Sequence, residues 1–318
     1  MLVELVLCPI SLAGAAAYLV KLKLYNQPKG ISGTAYEPFF GRAMAHGMGA
    51  RDDASAYLLA PGLPALSPLI WWLLMWPTGL ASRIAGYKPA LFAGPTTRPA
   101  KLMQMMALRN EFFDETLREA AAVVEQVVIL GAGWDTRAYE QLKGADVRIF
   151  EVDTPATQQA KVEALNAAGI DSSHVTFVET DFNQASWLEA LRQHGFDPAR
   201  TTYILWEGVT MYLPEDAVRE TLACVTDLAP GSRIAFDYFA NELIEGKGAL
   251  KVLAWCFRVG IGLTYGEHFM FGLPMRTAAR DTAAAFLESS GLTLGRYETL
   301  GAEGKLVIFY GFAVGEHR

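Results

Sequence analysis

Short, unbroken apolar runs rich in β-branched residues recur from residue 127 onward, and they read as strands buried on both faces. They occupy residues 127–130, 147–152, 175–179, 202–206 and 232–239. Between them the apolar spacing changes to that of helices. Thr154 and Pro155 suit the N-cap and first turn of a helix that ends at Gly169. Residues 185–194 are a further helix, and in 214–228 Val218, Leu222 and Val225 share a face while Glu215 and Asp216 sit at the positive N-terminus. A last helix is expected over 277–290. It is followed by strands 292–299 and 305–312, made antiparallel by a short turn at 301–304.

This alternation predicts an α/β fold, a Rossmann-like doubly wound sheet of seven mostly parallel strands closed by a C-terminal antiparallel hairpin, with ligands at the carboxyl ends of the strands. Two regions stand outside the pattern. Residues 241–276 interrupt it after the fifth strand with a mostly apolar segment, read as a lid. Residues 1–95 form an apolar helical extension, leaving 96–318 as the ligand-binding domain.

Within the extension, residues 5–20 are apolar apart from Ser11, are preceded by Glu4 and are followed by Lys21, Lys23 and Lys29. That order of charges is wrong for a secretory signal, the length is borderline for a bilayer span, and Pro9 and Gly14 weaken a helix. Residues 54–82 carry no charge, but Pro61, Pro64, Pro68 and Pro77 break them too often for one straight span. Trp71, Trp72 and Trp76 suit a membrane interface, a substrate-pocket wall or plain packing. The expectation is a cytoplasmic protein that associates with a membrane surface through residues 1–85 or uses that region to pack on itself or on another copy in a homo-oligomer.

Composition narrows the partners. A net charge of −7 and a pI near 5.4, without basic blocks, argue against nucleic acid. Cys8, Cys224 and Cys256 are far apart and His46, His174, His194 and His317 lack ligand spacing, so reduced thiols and no metal are expected.

The candidate chemistry gathers around QVVILGAGWDTRAY. Gly131, Ala132 and Gly133 end the first strand in a turn that lets backbone N–H groups approach a ligand. Thr136 stands where a dinucleotide fingerprint wants its third glycine. Asp153 ends the next strand about 20 residues on, the offset at which a carboxylate accepts hydrogen bonds from ribose hydroxyls. Asp181 and Phe182 follow the third strand, where they can meet an adenine. Glu207 follows the fourth, and Arg109 lies upstream with a guanidinium suited to a carboxylate.

The segments VVILGAGWDTRAY, FEVDTPATQQAK, VETDFNQASW and WEGVTMYLPEDAV, in that order, resemble class I S-adenosylmethionine-dependent methyltransferases of the leucine carboxyl methyltransferase-like family. The resemblance covers about residues 109–239. It implies that Gly131, Ala132 and Gly133 line the methionine part of the cofactor, with Asp135 and Arg137 beside them. It further implies that Asp153 holds the ribose, Asp181 and Phe182 flank the adenine, Glu207 faces the amino group and Arg109 pairs with the carboxylate. Residues 1–95 depart from the family's compact helical N-terminus, which leaves the acceptor open.

The expected function is O-methyl transfer from S-adenosylmethionine to a carboxylate or hydroxyl of a small, apolar or lipid-like acceptor. A hydroxyl would need a base, for which Tyr212, His268 and Tyr238 are candidates. Carboxyl methylation of a protein C-terminus is an alternative. Others are a cofactor-binding regulator without turnover and a nicotinamide-dependent oxidoreductase, the latter disfavoured by the missing glycine and the terminal hairpin.

Overall fold

The structure is a computed structural model and describes residues 2–86, 100, 104–180, 186–246, 250–301 and 308–318. It opens with α1 (Leu2–Lys21), which leads through a short π-helical turn to α2 (Tyr36–Gly47), α3 (Ala54–Leu59), α4 (Pro68–Ala85) and α5 (Met105–Ala121). Alternation then sets in with β1 (Gln126–Leu130), β2 (Arg148–Asp153), α6 (Pro155–Ala168), β3 (Val175–Glu179), α7 (Trp187–Gln193), β4 (Thr202–Trp206), α8 (Glu215–Cys224) and β5 (Arg233–Ala240). The chain closes with α9 (Asn241–Glu245), α10 (Lys251–Tyr265), β6 (Gly272–Leu273), α11 (Ala279–Glu288), β7 (Thr293–Leu300) and β8 (Tyr310–Glu316).

Among the described residues the sheet has eight strands, ordered β3-β2-β1-β4-β5-β8-β7, with two-residue β6 beside the end of β5. β1 pairs in parallel with β2 and β4, every one of its residues is buried, and β8 lies antiparallel between β5 and β7. The apolar run of β1 is thus what a central strand covered on both faces requires. The sheet class matches the sequence expectation, with β6 as an added element.

Three boundaries differ. The last strand spans Tyr310–Glu316 rather than 305–312, because pairing with β5 along its length continues from Phe239↔Tyr310 to Arg233↔Glu316. Of the expected turn, residues 302–304 lie outside the described residues, as do 305–307 of the expected strand. Pro77 does not end α4, which continues through it, and Pro9 and Gly14 sit inside α1. At Gly14 the missing side chain is used: a Cβ there would lie 2.9 Å from the Leu73 Cβ, so glycine lets α1 and α4 pack closely.

The N-terminal helices are built into the body. Tyr36, Phe39 and Leu59 are fully buried in the same core as Val127 and Ile204, and the Tyr36 hydroxyl accepts from the Ala65 N–H at 2.9 Å. Asp53 caps α3, its Oδ1 accepting from the Ala56 N–H at 3.1 Å.

Candidate active site

A cavity of about 390 Å³ opens at the carboxyl ends of β1, β2 and β4, a size within the roughly 300–1,000 Å³ of small-molecule pockets. Gly131, Ala132 and Gly133 form its floor, Asp153 and Glu207 its polar flank, and Arg109 reaches it from α5. The turn demands its glycines. Gly131 and Gly133 have φ of 72° and 41°, and a Cβ on them would come within 2.5 Å of Val209 Cγ2 and 2.8 Å of Ala35 Cβ.

Asp153 is set in place from both sides. Its Oδ2 accepts from the Gly133 N–H and its Oδ1 from the Thr154 N–H, each at 2.6 Å. Burial raises its carboxyl above the usual range, and these two donors partly offset that. Thr154 is the N-cap residue of α6 but its side chain caps no backbone N–H; its hydroxyl lies within hydrogen-bond distance of Asp153 Oδ1 at 3.3 Å and of the Thr157 hydroxyl at 3.1 Å.

Glu207 receives Arg109 Nε on one oxygen and Arg137 Nη1 on the other, both at 2.6 Å. Arg137 also donates through Nε to Asp114 at 2.7 Å and through Nη1 to Asp135 at 2.5 Å, and Arg42 approaches Asp135 at 3.2 Å. Burial alone would raise the carboxyls of Asp135 and Glu207. No single cation outweighs it, but Arg137 and Arg42 together at Asp135, and Arg137 and Arg109 together at Glu207, hold them below the usual range. Arg137 itself is fully buried behind the cavity wall rather than lining it, so its work is to position Asp135 and Glu207.

The opposite end of the cavity is different in kind. Phe257 and Ile261 of α10, with Phe239, Phe269 and Tyr212, make an apolar wall. Two partly buried carboxylates, Glu37 from α2 and Glu267 after α10, also line the cavity. Thr34 donates to Glu267 at 2.9 Å, and Tyr265 hydrogen-bonds Glu37. Burial raises both carboxyls, and at Glu267 the charge of Glu37 adds to the rise. The Tyr212 hydroxyl faces both, its own proton held tightly by burial and by their charge.

Of the other residues singled out in the sequence, His268 lines a smaller neighbouring cavity with Arg258 and Leu243, while Glu267 lines both. Tyr238 is a correction. Residues alternate faces along β5, so Asp237 accepts from Tyr310, which lines the cavity, whereas Tyr238 points to the other face and donates to Tyr297 at 3.2 Å. It cannot act on anything bound in the cavity. Asp181 and Phe182 lie outside the described residues. Among the described residues no group of three or more His, Cys, Asp or Glu is placed to hold a metal ion.

Sequence reasoning missed Arg42, Glu37 and Glu267. Arg42 and Glu37 lie in the apolar extension, where no polar residue stands in a recognisable motif, and Glu267 is next to the candidate base His268. The residues present suit S-adenosylmethionine: a carboxylate at the end of β2 for a diol, a guanidinium for a carboxylate, and Glu207 for an ammonium. The buried Trp134 indole N–H, on the cavity wall, has no hydrogen-bond partner among the described residues, as at a site meant for a polar ligand.

The family model for leucine carboxyl methyltransferase matches residues 76–226. A Mycolicibacterium smegmatis protein with the provisional name S-adenosyl-L-methionine-dependent methyltransferase is 34% identical over 194 residues, 60% of this chain and 63% of that protein. One from Mycobacterium tuberculosis with the same provisional description is 39% identical over 140 residues, 43% of this chain and 45% of that one. The chain thus spans less than two thirds of the length of these relatives. An O-methyltransferase family protein from Burkholderia thailandensis superposes with a TM-score of 0.45 at 17% identity, over 67% of this chain and 57% of that one. Residues 76–226, which contain the glycine turn, Asp153 and Glu207, are thus similar to the leucine carboxyl methyltransferase family over just under half of the chain, and the relatives they resemble carry provisional names as S-adenosyl-L-methionine-dependent methyltransferases.

Proposed function

We propose that this protein is an S-adenosylmethionine-dependent O-methyltransferase whose acceptor presents a hydroxyl on an apolar body. The observation that carries the choice of acceptor is the pair Glu37 and Glu267 beside Tyr212 at the aromatic end of the cavity. Two carboxylates repel an ionised carboxylate acceptor, whereas a hydroxyl needs a group to take its proton. S-adenosylmethionine supplies an electrophilic methyl group when bound. Asp153, Arg109 and Glu207 would hold it, Phe257, Ile261 and Phe269 would exclude water from the acceptor, and Glu267, raised above the ordinary glutamate value, would accept the hydroxyl proton.

The test begins with isothermal titration against S-adenosylmethionine and, separately, NADH. Binding of the first alone supports the donor, and binding of NADH alone sinks the methyltransferase reading. Transfer of labelled methyl groups is then measured to matched apolar phenols, carboxylic acids and amines, and to a peptide ending in leucine. Methylation of the phenol, lost in Glu267→Gln, is expected. Transfer to the acid or to the peptide carboxylate, unaffected by Glu37→Gln and Glu267→Gln, would refute the hydroxyl acceptor, and transfer to the amine alone would replace it with N-methylation.

A further inference from the structure

Surface helices usually turn their polar side to water. The pair α1 and α4 does the reverse. The exposed positions of α1 fall at helical spacing, and Leu12, Ala13, Ala16, Leu19 and Val20 make one stripe without a polar group. On α4 the exposed positions include Leu69, Trp72 and Trp76, with the two indoles stacked 5.1 Å apart. Leu12 and Leu69 are 62% and 65% exposed, values unusual for a pair of leucines on adjoining helices.

The two helices run antiparallel: Gly14 meets Leu73 in mid-helix, and Lys21 at the end of α1 reaches the Leu66 carbonyl just before α4. Charge is confined to the rim. Lys21, Lys23 and Lys29 lie at one end and Arg83 at the other, and no acidic residue occurs in 5–36 or 54–86.

The segment Leu7–Lys29 has a mean hydropathy of 1.4, is long enough to cross a bilayer, and has only 17% of its apolar window covered by the rest of the chain. It is nonetheless tied down along its inner side. Tyr18 and Leu22 belong to the core, and Tyr18 packs edge-on against Tyr36 at 5.6 Å. A helix fixed in this way lies on a surface rather than through it.

We propose that the outward face of the α1–α4 pair docks on a lipid bilayer, its leucines and tryptophans at the level of the headgroups and its basic rim against anionic lipid. A second copy fits less well. Face-to-face contact would bring cations of one sign together with no acid on the face, among the described side chains, to pair with, whereas anionic headgroups neutralise them. The inference does not depend on methyl transfer.

The experiment is flotation of the full chain, freed of detergent, on a density gradient with extruded vesicles of phosphatidylcholine with and without phosphatidylglycerol. The protein is expected to float, and more so with phosphatidylglycerol. Leu19→Glu and Trp72→Glu are expected to remove flotation while leaving the circular dichroism spectrum and unfolding midpoint in detergent unchanged. Lys23→Gln and Lys29→Gln should each weaken binding to the anionic vesicles roughly fivefold. No flotation with either vesicle overturns the proposal. So does flotation indifferent to the glutamate variants, or a dimer seen by light scattering that those variants dissolve in place of any vesicle binding.

Discussion

Both ends of the cavity are acidic, yet they handle their acids in opposite ways. At the glycine turn, Asp135 and Glu207 are gripped by Arg42, Arg109 and Arg137 and are held in the charged form. At the aromatic end, Glu37 and Glu267 have hydroxyl partners and each other, Arg109 offsets burial only in part at Glu37, and both carboxyls stay above the usual range. The first arrangement is rigid: every charge fixes its neighbour. The second is held less firmly: its carboxyls lie above the usual range, which makes their carboxylates stronger proton acceptors. A set of charges that compensate one another builds a site; a set that does not is available for chemistry.

The sharpest way to break this contrast is to remove Arg137. Arg137→Ala takes one guanidinium from each of Asp114, Asp135 and Glu207 in a buried setting, leaving Arg51, Arg42 and Arg109 to hold them, and stability should fall by about 3–5 kcal/mol, read from chemical denaturation. Glu37→Gln, at the other end, should change stability by less than about 1 kcal/mol in the same experiment. Equal losses would erase the distinction.

Asp153→Ala removes a carboxylate held by two backbone donors, and affinity for S-adenosylmethionine should drop about 10- to 100-fold by calorimetry. Unchanged affinity would place the donor elsewhere.

Acidity separates the two ends in sign. Asp135 and Glu207 lie below their ordinary values, so their stabilising contribution is present above the unfolded values and is lost as pH falls through the folded ones. Glu37 and Glu267 lie above theirs, so their contribution is present below the unfolded value and is lost as pH rises through the folded one. The double variant Glu37→Gln, Glu267→Gln should therefore gain stability relative to the parent on moving from mildly acid to mildly alkaline buffer, measured by denaturant midpoints. A constant difference between the two proteins would show that these carboxyls are not raised.

The smallest effect is expected at Tyr212. Tyr212→Phe removes one hydroxyl facing the two glutamates and should slow methyl transfer about tenfold with little change in cofactor affinity.

The same contrast explains what could be read from the chain. The glycine-turn end is made of local signals: a strand, a glycine turn and a carboxylate at a fixed offset, all within residues 126–153, so it was legible together with the sheet. The aromatic end was not, because Thr34 and Glu267 are 233 residues apart and neither sits in a recognisable pattern. In the run Thr264 to His268, attention fell on the histidine because its ordinary chemistry suits a base. Which neighbour enters the main cavity depends on how the chain leaves α10, and no periodicity encodes that. Tyr238 failed for a simpler reason: strand alternation could have placed it opposite Asp237, on the far face. Arg42 is hidden because nothing in the local pattern of residues 1–95 marks which of them pack into the core, as Tyr36, Phe39 and Leu59 do, and which face outward.

The bond from Thr34 to Glu267 also bears on how the molecule forms. Together with Arg42 and Asp135, which are 93 positions apart, it means the cavity is closed by some of the longest-range contacts in the chain. Contacts of that span come after the costly step of closing a long loop and form slowly. During synthesis the N-terminal segment must therefore wait, Arg42 for the β1 turn that brings Asp135 and Thr34 for the chain beyond α10 that brings Glu267. A nascent or truncated chain ending before residue 267 can hold the glycine turn but cannot have the far wall, so ligand binding at that wall would report completion of the fold.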